Sequence, residues 1–110
     1  MDDTGQLIDA FLRWWIDPRS IPGFSSRFVT GFSFQTKPAG LVDEDAVWFV
    51  EQRMPWSGVE VKKRVIEGDS AIVVLEGEDP VTALRHRVTF RIVVSGRQIS
   101  SVLESFEDME

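Results

Sequence analysis

The chain has one histidine, His86, in the alternating stretch LRHRVTF (residues 84–90) between Arg85 and Arg87. Unperturbed histidine is the side chain that changes charge near neutral pH, so His86 is well suited to general acid or base catalysis. The alternative is a buried histidine whose ring is satisfied by a serine or a main-chain carbonyl group. We predict His86 as the candidate catalytic residue and keep both interpretations open.

Other kinds of catalytic site find little support in the residue types. The chain has no cysteine, which excludes disulfides, thiol nucleophiles and zinc–cysteine sites. A single histidine excludes a histidine-rich metal site, and no clustered spacing of carboxylates indicates magnesium. The stretch GFSFQ lacks the second glycine of a nucleophile elbow. We therefore predict no metal and no cofactor.

Charge and hydropathy limit the partners. The formal net charge is −6, which disfavours a nucleic-acid partner because phosphate backbones are also negative. No apolar run approaches the roughly 20 residues that a membrane helix needs, and the first residues, MDDTGQ, do not resemble a signal peptide. We expect a cytoplasmic protein with no membrane contact. A hydrophobic fraction of 43% predicts a single domain over residues 1–110.

Two segments have helical periodicity, and most of the rest is strand-like. In residues 4–16, apolar side chains at Leu7, Phe11, Trp14 and Trp15 fall on one helical face. A second helix is predicted over residues 43–54, before Pro55, and a short strand over 27–34. From residue 59 the chain alternates like strands joined by tight turns. This order predicts an α+β domain whose helices cover one face of a sheet.

The turn before the last strand predicts which side chains the helices cover. With Ser95 and Gly96 as a two-residue turn, His86 and Phe90 share the covered face with Ser101, Leu103 and Ser105. Arg85 and Arg87 then point to the other face. The register of the strand at residues 59–66 stays open, because it fits only with a slip of one residue.

Several short cues accompany this order of elements. A Trp pair followed by DP ends the first helix, AVWFVEQRMPW precedes the sheet, and SGRQI precedes the last strand. The chain resembles the nuclear transport factor 2-like superfamily, and within it the SnoaL-like and ketosteroid-isomerase-like branch. The resemblance implies a cone-shaped α+β roll, in which a curved, antiparallel-rich sheet wraps around helices and encloses a cavity. It also implies a small apolar ligand and a homodimer formed through the outer face of the sheet.

The resemblance implies a ligand site inside the cone. Two of the tryptophans on the capping helices, Trp15 and Trp48, would line the cavity together with four residues of the covered face: Phe90, Ser101, Leu103 and Ser105. Steroid-isomerase chemistry is not expected, because the chain has no tyrosine and FVTGFSFQTKP contains no carboxylate. The aspartate–arginine–aspartate set of limonene-epoxide-hydrolase-like members cannot be assembled from the positions expected to face inward.

Two functions remain open at this point. The first is a SnoaL-like domain that binds a hydrophobic metabolite in an apolar cavity, with isomerase, cyclase or hydrolase activity as an extension. The alternative is a non-catalytic, dimeric interaction or accessory module of the same fold. A fold that hosts many activities does not decide between them.

Overall fold

A computed structural model describes residues 3–109 and confirms the α+β class. In chain order the elements are α1 (Asp3–Ile16), β1 (Phe28–Lys37), α2 (Asp43–Gln52), β2 (Ser57–Glu67), β3 (Ser70–Glu78), β4 (Arg85–Ser95) and β5 (Gln98–Asp108). Two short 3-10 turns, Pro18–Ser20 and Phe24–Arg27, connect α1 to β1. Within residues 3–109, neither helix is long and apolar enough to cross a membrane.

The five strands form one curved, mixed sheet. Its order is β1-β5-β4-β3-β2, so the two strands that are earliest in the chain lie at opposite edges. All neighbouring pairs are antiparallel except β1 and β5, which run parallel. The predicted antiparallel-rich sheet is thus confirmed, with one parallel pair added at its edge.

Helix α1 lies across the inner face of the sheet. Its apolar face is buried as the sequence periodicity predicts, and Phe11, Trp14 and Trp15 are fully buried. The matching stripe on β4 also follows the prediction, because His86, Val88 and other alternate residues are buried while Arg85 and Arg87 are exposed. Burial of these two facing surfaces supplies a large part of the core.

Strand β5 differs from the prediction because it contains a bulge. Ser95 pairs with Gln98, and the ladder then shifts between Val93 and Val94, which leaves Ser100 as an extra residue. Since side chains alternate with a period of two, one extra residue moves every later side chain to the opposite face. The expected inward orientation is therefore wrong for three residues, Ser101, Leu103 and Ser105. The inward positions belong instead to Val102, Glu104 and Phe106.

Strand β2 slips in register, as its sequence suggested, with shifts between Ser57 and Glu60 and again before Lys63. The start of β2 lies very close to the backbone of β3 at Gly77. A Cβ added at Gly77 would lie 2.9 Å from a Val59 methyl group and 3.3 Å from the Trp56 ring. A glycine at this point lets Trp56 pack directly against the sheet, beside the pocket described next.

Candidate functional site

A pocket of about 420 Å³ opens beneath α2, at the end of the sheet where β5 finishes. Half of its lining is apolar: Pro38, Ala39, Leu41, Phe49, Trp56, Val81 and Phe106. The other half is polar: Thr36, Arg53, Asp79, Thr82, His86, Glu104 and Asp108. Its size and mixed lining are typical of sites for small molecules, in which a few polar groups orient an otherwise apolar ligand.

Glu104 is the most deeply buried acid of the pocket. The bulge in β5 turns it inward, so that the residue is only 5% exposed. The indole nitrogen Nε1 of Trp15 donates a 2.6 Å hydrogen bond to Glu104 Oε1. Burial raises the pKa of Glu104 from 4.5 to about 7, although the Trp15 hydrogen bond and the charge of Arg53 act to lower it. Glu104 can therefore both give and take a proton near neutral pH.

Arg53 follows the last turn of α2 and is buried beside the same tryptophan. Its Nη2 donates to the main-chain oxygen of Trp15, and its guanidinium carbon lies 4.3 Å from the centre of the Trp15 ring. Burial lowers the pKa of Arg53 to about 10, while Glu104 and Asp79 act to raise it. Arg53 thus stays cationic at neutral pH and balances part of the carboxylate charge in the pocket.

Asp79 and His86 lie together beside the loop that joins β3 to β4. Asp79 is buried, and its Oδ1 accepts a 2.8 Å hydrogen bond from the main-chain nitrogen of Val81. His86 Nε2 is 3.0 Å from the Thr82 hydroxyl oxygen and 3.7 Å from Asp79 Oδ2. The other ring nitrogen, Nδ1, lies 3.1 Å from Asp108 Oδ1, in a contact that is not aligned as a hydrogen bond. A protonated His86 would be flanked by two carboxylates.

The structure brings some of the predicted site residues together and separates others. His86 lines the pocket. Trp15 lies behind the lining, where it holds Arg53 and Glu104. Phe90 is fully buried behind Trp15, with the two ring centres 4.9 Å apart, so it supports the site without lining it.

Trp48 and three residues of β5 do not reach the pocket. Trp48 is 63% exposed, because α2 buries the face of Ala46, Val47 and Val50 instead; the expectation that it lines the cavity is wrong. The remaining predicted residues lie on the outer face of the sheet, because of the bulge in β5: Ser101, Leu103 and Ser105.

Four charged residues of the pocket were not predicted from the sequence: Arg53, Asp79, Glu104 and Asp108. Glu104 was assigned to the outer face, and Arg53 and Asp79 lie just outside regular elements, where alternation gives no orientation. Glu104, Arg53 and Asp79 together form a carboxylate–arginine–carboxylate set, which could not be assembled from the positions expected to face inward. Within residues 3–109, no three histidine or carboxylate side chains are placed to hold a metal ion.

Comparison with known proteins supports the fold and goes no further. No protein-family model matches the sequence, and no curated protein matches it. Among solved structures, a Kribbella flavida protein named "putative ketosteroid isomerase" is 15% identical, with a TM-score of 0.78, over 99% of this chain and 81% of that one. An NTF2-like protein of unknown function from Cytophaga hutchinsonii is 17% identical, with a TM-score of 0.72, over 94% and 89%.

A third structure, an NTF-2 like protein of unknown function from Burkholderia xenovorans, is 9% identical, with a TM-score of 0.78, over 99% and 86% of the two chains. All three likenesses cover nearly the whole of this chain. The chain therefore has the nuclear transport factor 2-like fold, as its sequence predicted. At these identities the likeness carries no information on the reaction.

Proposed function

We propose that this protein binds a small, largely apolar molecule in the pocket beneath α2 and exchanges a proton with it through Glu104. The observation that carries the proposal is a buried carboxyl group in a pocket that is half lined by apolar side chains. Binding pockets combine an apolar lining with a few placed polar groups, and buried titratable groups cluster at functional sites.

The chemistry that fits this pocket is a proton transfer near neutral pH. An ionised Glu104 would accept a proton from the ligand and return it at a second position, which leaves the protein unchanged, as an isomerase requires. Arg53 would stabilise negative charge that develops on the ligand meanwhile. The fold neighbour named "putative ketosteroid isomerase" is too distant in sequence to decide the reaction class, and cyclase or hydrolase chemistry would use the same two groups.

Ligand binding can be tested with the neutral dye Nile red and two neighbouring residues of α2. Phe49 lines the pocket, whereas Trp48 is exposed and does not. We expect Phe49→Ala to weaken dye binding by about tenfold, since it removes apolar contact area, and Trp48→Ala to leave it unchanged. Equal effects of the two substitutions, or no dye binding to the unaltered protein, would refute a ligand pocket at this place.

His86 is proposed as a second proton-transfer group, because it lies in the same pocket as Glu104. We expect His86→Ala to abolish turnover of a substrate while apolar-ligand affinity stays within about tenfold, since the apolar lining supplies most of the burial. Turnover that survives in His86→Ala and is lost in Glu104→Gln would assign the chemistry to Glu104 alone.

A homodimer through the outer face of the sheet is a second proposal. Three neighbouring apolar side chains, Ile72, Val74 and Leu103, are only half-buried on that face, and Arg91 lies between two of them. An apolar centre with polar groups around it suits a protein interface. In sedimentation velocity, we expect a dimer that Leu103→Glu dissociates and that Leu84→Glu, a change at an exposed loop residue, leaves intact. A monomer at every concentration would contradict this.

A further inference from the structure

Two adjacent tryptophans of α1 are both fully buried, but their indole N–H groups have different environments. Trp15 Nε1 donates to Glu104 Oε1 at 2.6 Å. Trp14 Nε1 has no hydrogen-bond partner within residues 3–109, and the Trp14 ring packs among phenylalanines such as Phe24, with their ring centres 5.3 Å apart. Packing alone therefore accounts for Trp14, whereas Trp15 makes a specific polar contact inside the pocket region.

We propose that Trp15 is a positioning residue that holds both the carboxyl group and the guanidinium group of the pocket: its indole N–H engages Glu104 Oε1, and its carbonyl group and ring hold Arg53. This inference rests on the function proposed for Glu104. A short N–H···O bond to one carboxyl oxygen fixes the plane of the carboxyl group. The guanidinium group of Arg53 lies over the Trp15 ring and donates to the main-chain oxygen of Trp15, so the same residue also anchors Arg53.

The contact also decides which oxygen of Glu104 exchanges the proton. Oε1 accepts the Trp15 N–H, so the proton of the neutral acid is carried by the other carboxyl oxygen, Oε2. Oε2 is therefore the atom that would give a proton to a molecule in the pocket, or take one from it. Trp15 acts on the reaction through Glu104 and need not touch the ligand.

The groups around Glu104 determine how Trp15 acts on its protonation. The indole N–H stabilises the ionised carboxylate, so it offsets part of the desolvation that burial causes. Four charged or titratable groups face Glu104 or share its pocket: Arg53 after α2, Asp79 after β3, His86 on β4 and Asp108 at the end of β5. Helix α1 and strand β1 contribute the uncharged Trp15 and Thr36.

A first experiment observes the hydrogen bond through the indole N–H groups themselves. We would follow the four indole N–H signals of the ligand-free protein in proton–nitrogen NMR spectra between pH 5 and 9. The Trp15 signal should shift with an inflection near pH 7, because its acceptor ionises there, and the Trp14 signal should not. Glu104→Gln should abolish the inflection. Trp14→Phe and Trp15→Phe each remove one signal and so assign the two indoles.

A second experiment measures the pKa of Glu104 in the two phenylalanine variants. Trp15→Phe keeps the aromatic ring and the main-chain carbonyl group but removes the donor, so the Glu104 pKa should rise by about one pH unit. Trp14→Phe, which removes an unpartnered donor, should leave it unchanged. If Trp15 served only for packing, Trp15→Phe would leave the Glu104 pKa unchanged, and the Trp15 indole signal would show no inflection with pH.

The proposal is overturned if the Trp15 indole signal shows no inflection that depends on Glu104, or if a folded Trp15→Phe protein keeps the Glu104 pKa unchanged. Neither measurement uses a ligand. A failure of these measurements would thus leave Nile red binding in the pocket untouched. Conversely, failure to bind any apolar molecule would refute the proposed function but leave the Trp15–Glu104 contact established.

Discussion

The two ends of the core are built from the same kind of side chain but are filled differently. At the end near the 3-10 turns, aromatic rings pack against one another: Phe11, Trp14, Phe24, Phe28 and Phe34. At the other end, Trp15, Trp56 and Phe106 are as close, with ring centres 4.8 and 5.8 Å apart, yet they adjoin a pocket of about 420 Å³.

Buried charge is what distinguishes the two ends. Glu104 and Arg53 lie among the rings of the pocket end, whereas the filled end consists of apolar side chains. A buried charged group must be hydrogen-bonded, paired or hydrated, and apolar side chains closing over it would leave it unsatisfied. The comparison suggests that one end of the core maintains stability and the other end maintains a site.

The largest expected contrast is between one phenylalanine from each end. Phe11 is fully buried against four other aromatic rings, so Phe11→Ala should lower the free energy of unfolding by about 3–5 kcal/mol. Phe106 is half-buried on the pocket, and Phe106→Ala should cost about 1–2 kcal/mol. Urea unfolding measures both. Equal losses would show that the two ends are equally packed.

A smaller effect, on the order of 3 kcal/mol, is expected in the pH dependence of stability. Folded Glu104 keeps its proton up to about pH 7, whereas the unfolded chain loses it near pH 4.5. The folded state therefore binds more protons than the unfolded state between these two pH values. The stability that the protonated Glu104 contributes is fully present below pH 4.5 and is lost as the pH rises to 7. The difference in unfolding free energy between the unaltered protein and Glu104→Gln should change across this window.

The contrary result for this prediction is a difference between the two proteins that stays constant from pH 4 to 8. Other carboxylates contribute equally to both proteins, so taking the difference removes them. A constant difference would mean that Glu104 ionises normally, and that the pocket end is no more than a gap beside ordinary core.

A third effect concerns the close approach that places Trp56 at the pocket. Gly77→Ala would bring a Cβ within 2.9 Å of Val59 and 3.3 Å of Trp56, so we expect a loss of about 1–3 kcal/mol and a change in Nile red binding. Glu78→Ala, which also introduces an alanine but at the next, exposed position, should stay within about 0.5 kcal/mol. A Gly77→Ala protein with unaltered stability and dye binding would contradict this packing.

The smallest effect is expected at Trp48, which belongs to neither end. Because it is 63% exposed, Trp48→Ser should change the free energy of unfolding by no more than about 0.5 kcal/mol. Chemical unfolding of the variant checks this. A large loss would indicate that the indole packs against the protein and that α2 lies differently on the sheet.

The sequence predicts those parts of the fold whose side chains repeat regularly. The apolar face of α1 follows a helical period, and His86 alternates with Arg85 and Arg87 along β4, so both orientations were predicted correctly. The nuclear transport factor 2-like layout was predicted from short cues between the elements. In each case many residues agree on one pattern, and a single irregular position does not change the outcome.

The site depends on positions where the regular pattern fails. One extra residue, Ser100, decides that Glu104 faces inward and Leu103 outward, and nothing in QISSVLESF marks the bulge. Arg53 and Asp79 lie in connections, where orientation is set by tertiary contacts such as the bond from Arg53 to Trp15. His86, which lines the pocket, was singled out because the sequence contains one histidine, so composition and not position drew attention to it.

The protonation of Glu104 in the ligand-free protein tests the central claim most directly. We would record the chemical shift of its carboxyl carbon against pH in the unaltered protein and assign the signal by its absence in Glu104→Gln. The structure predicts a midpoint near pH 7, because the group is buried. A midpoint near pH 4.5 would place Glu104 in water and contradict a pocket that exchanges protons at neutral pH.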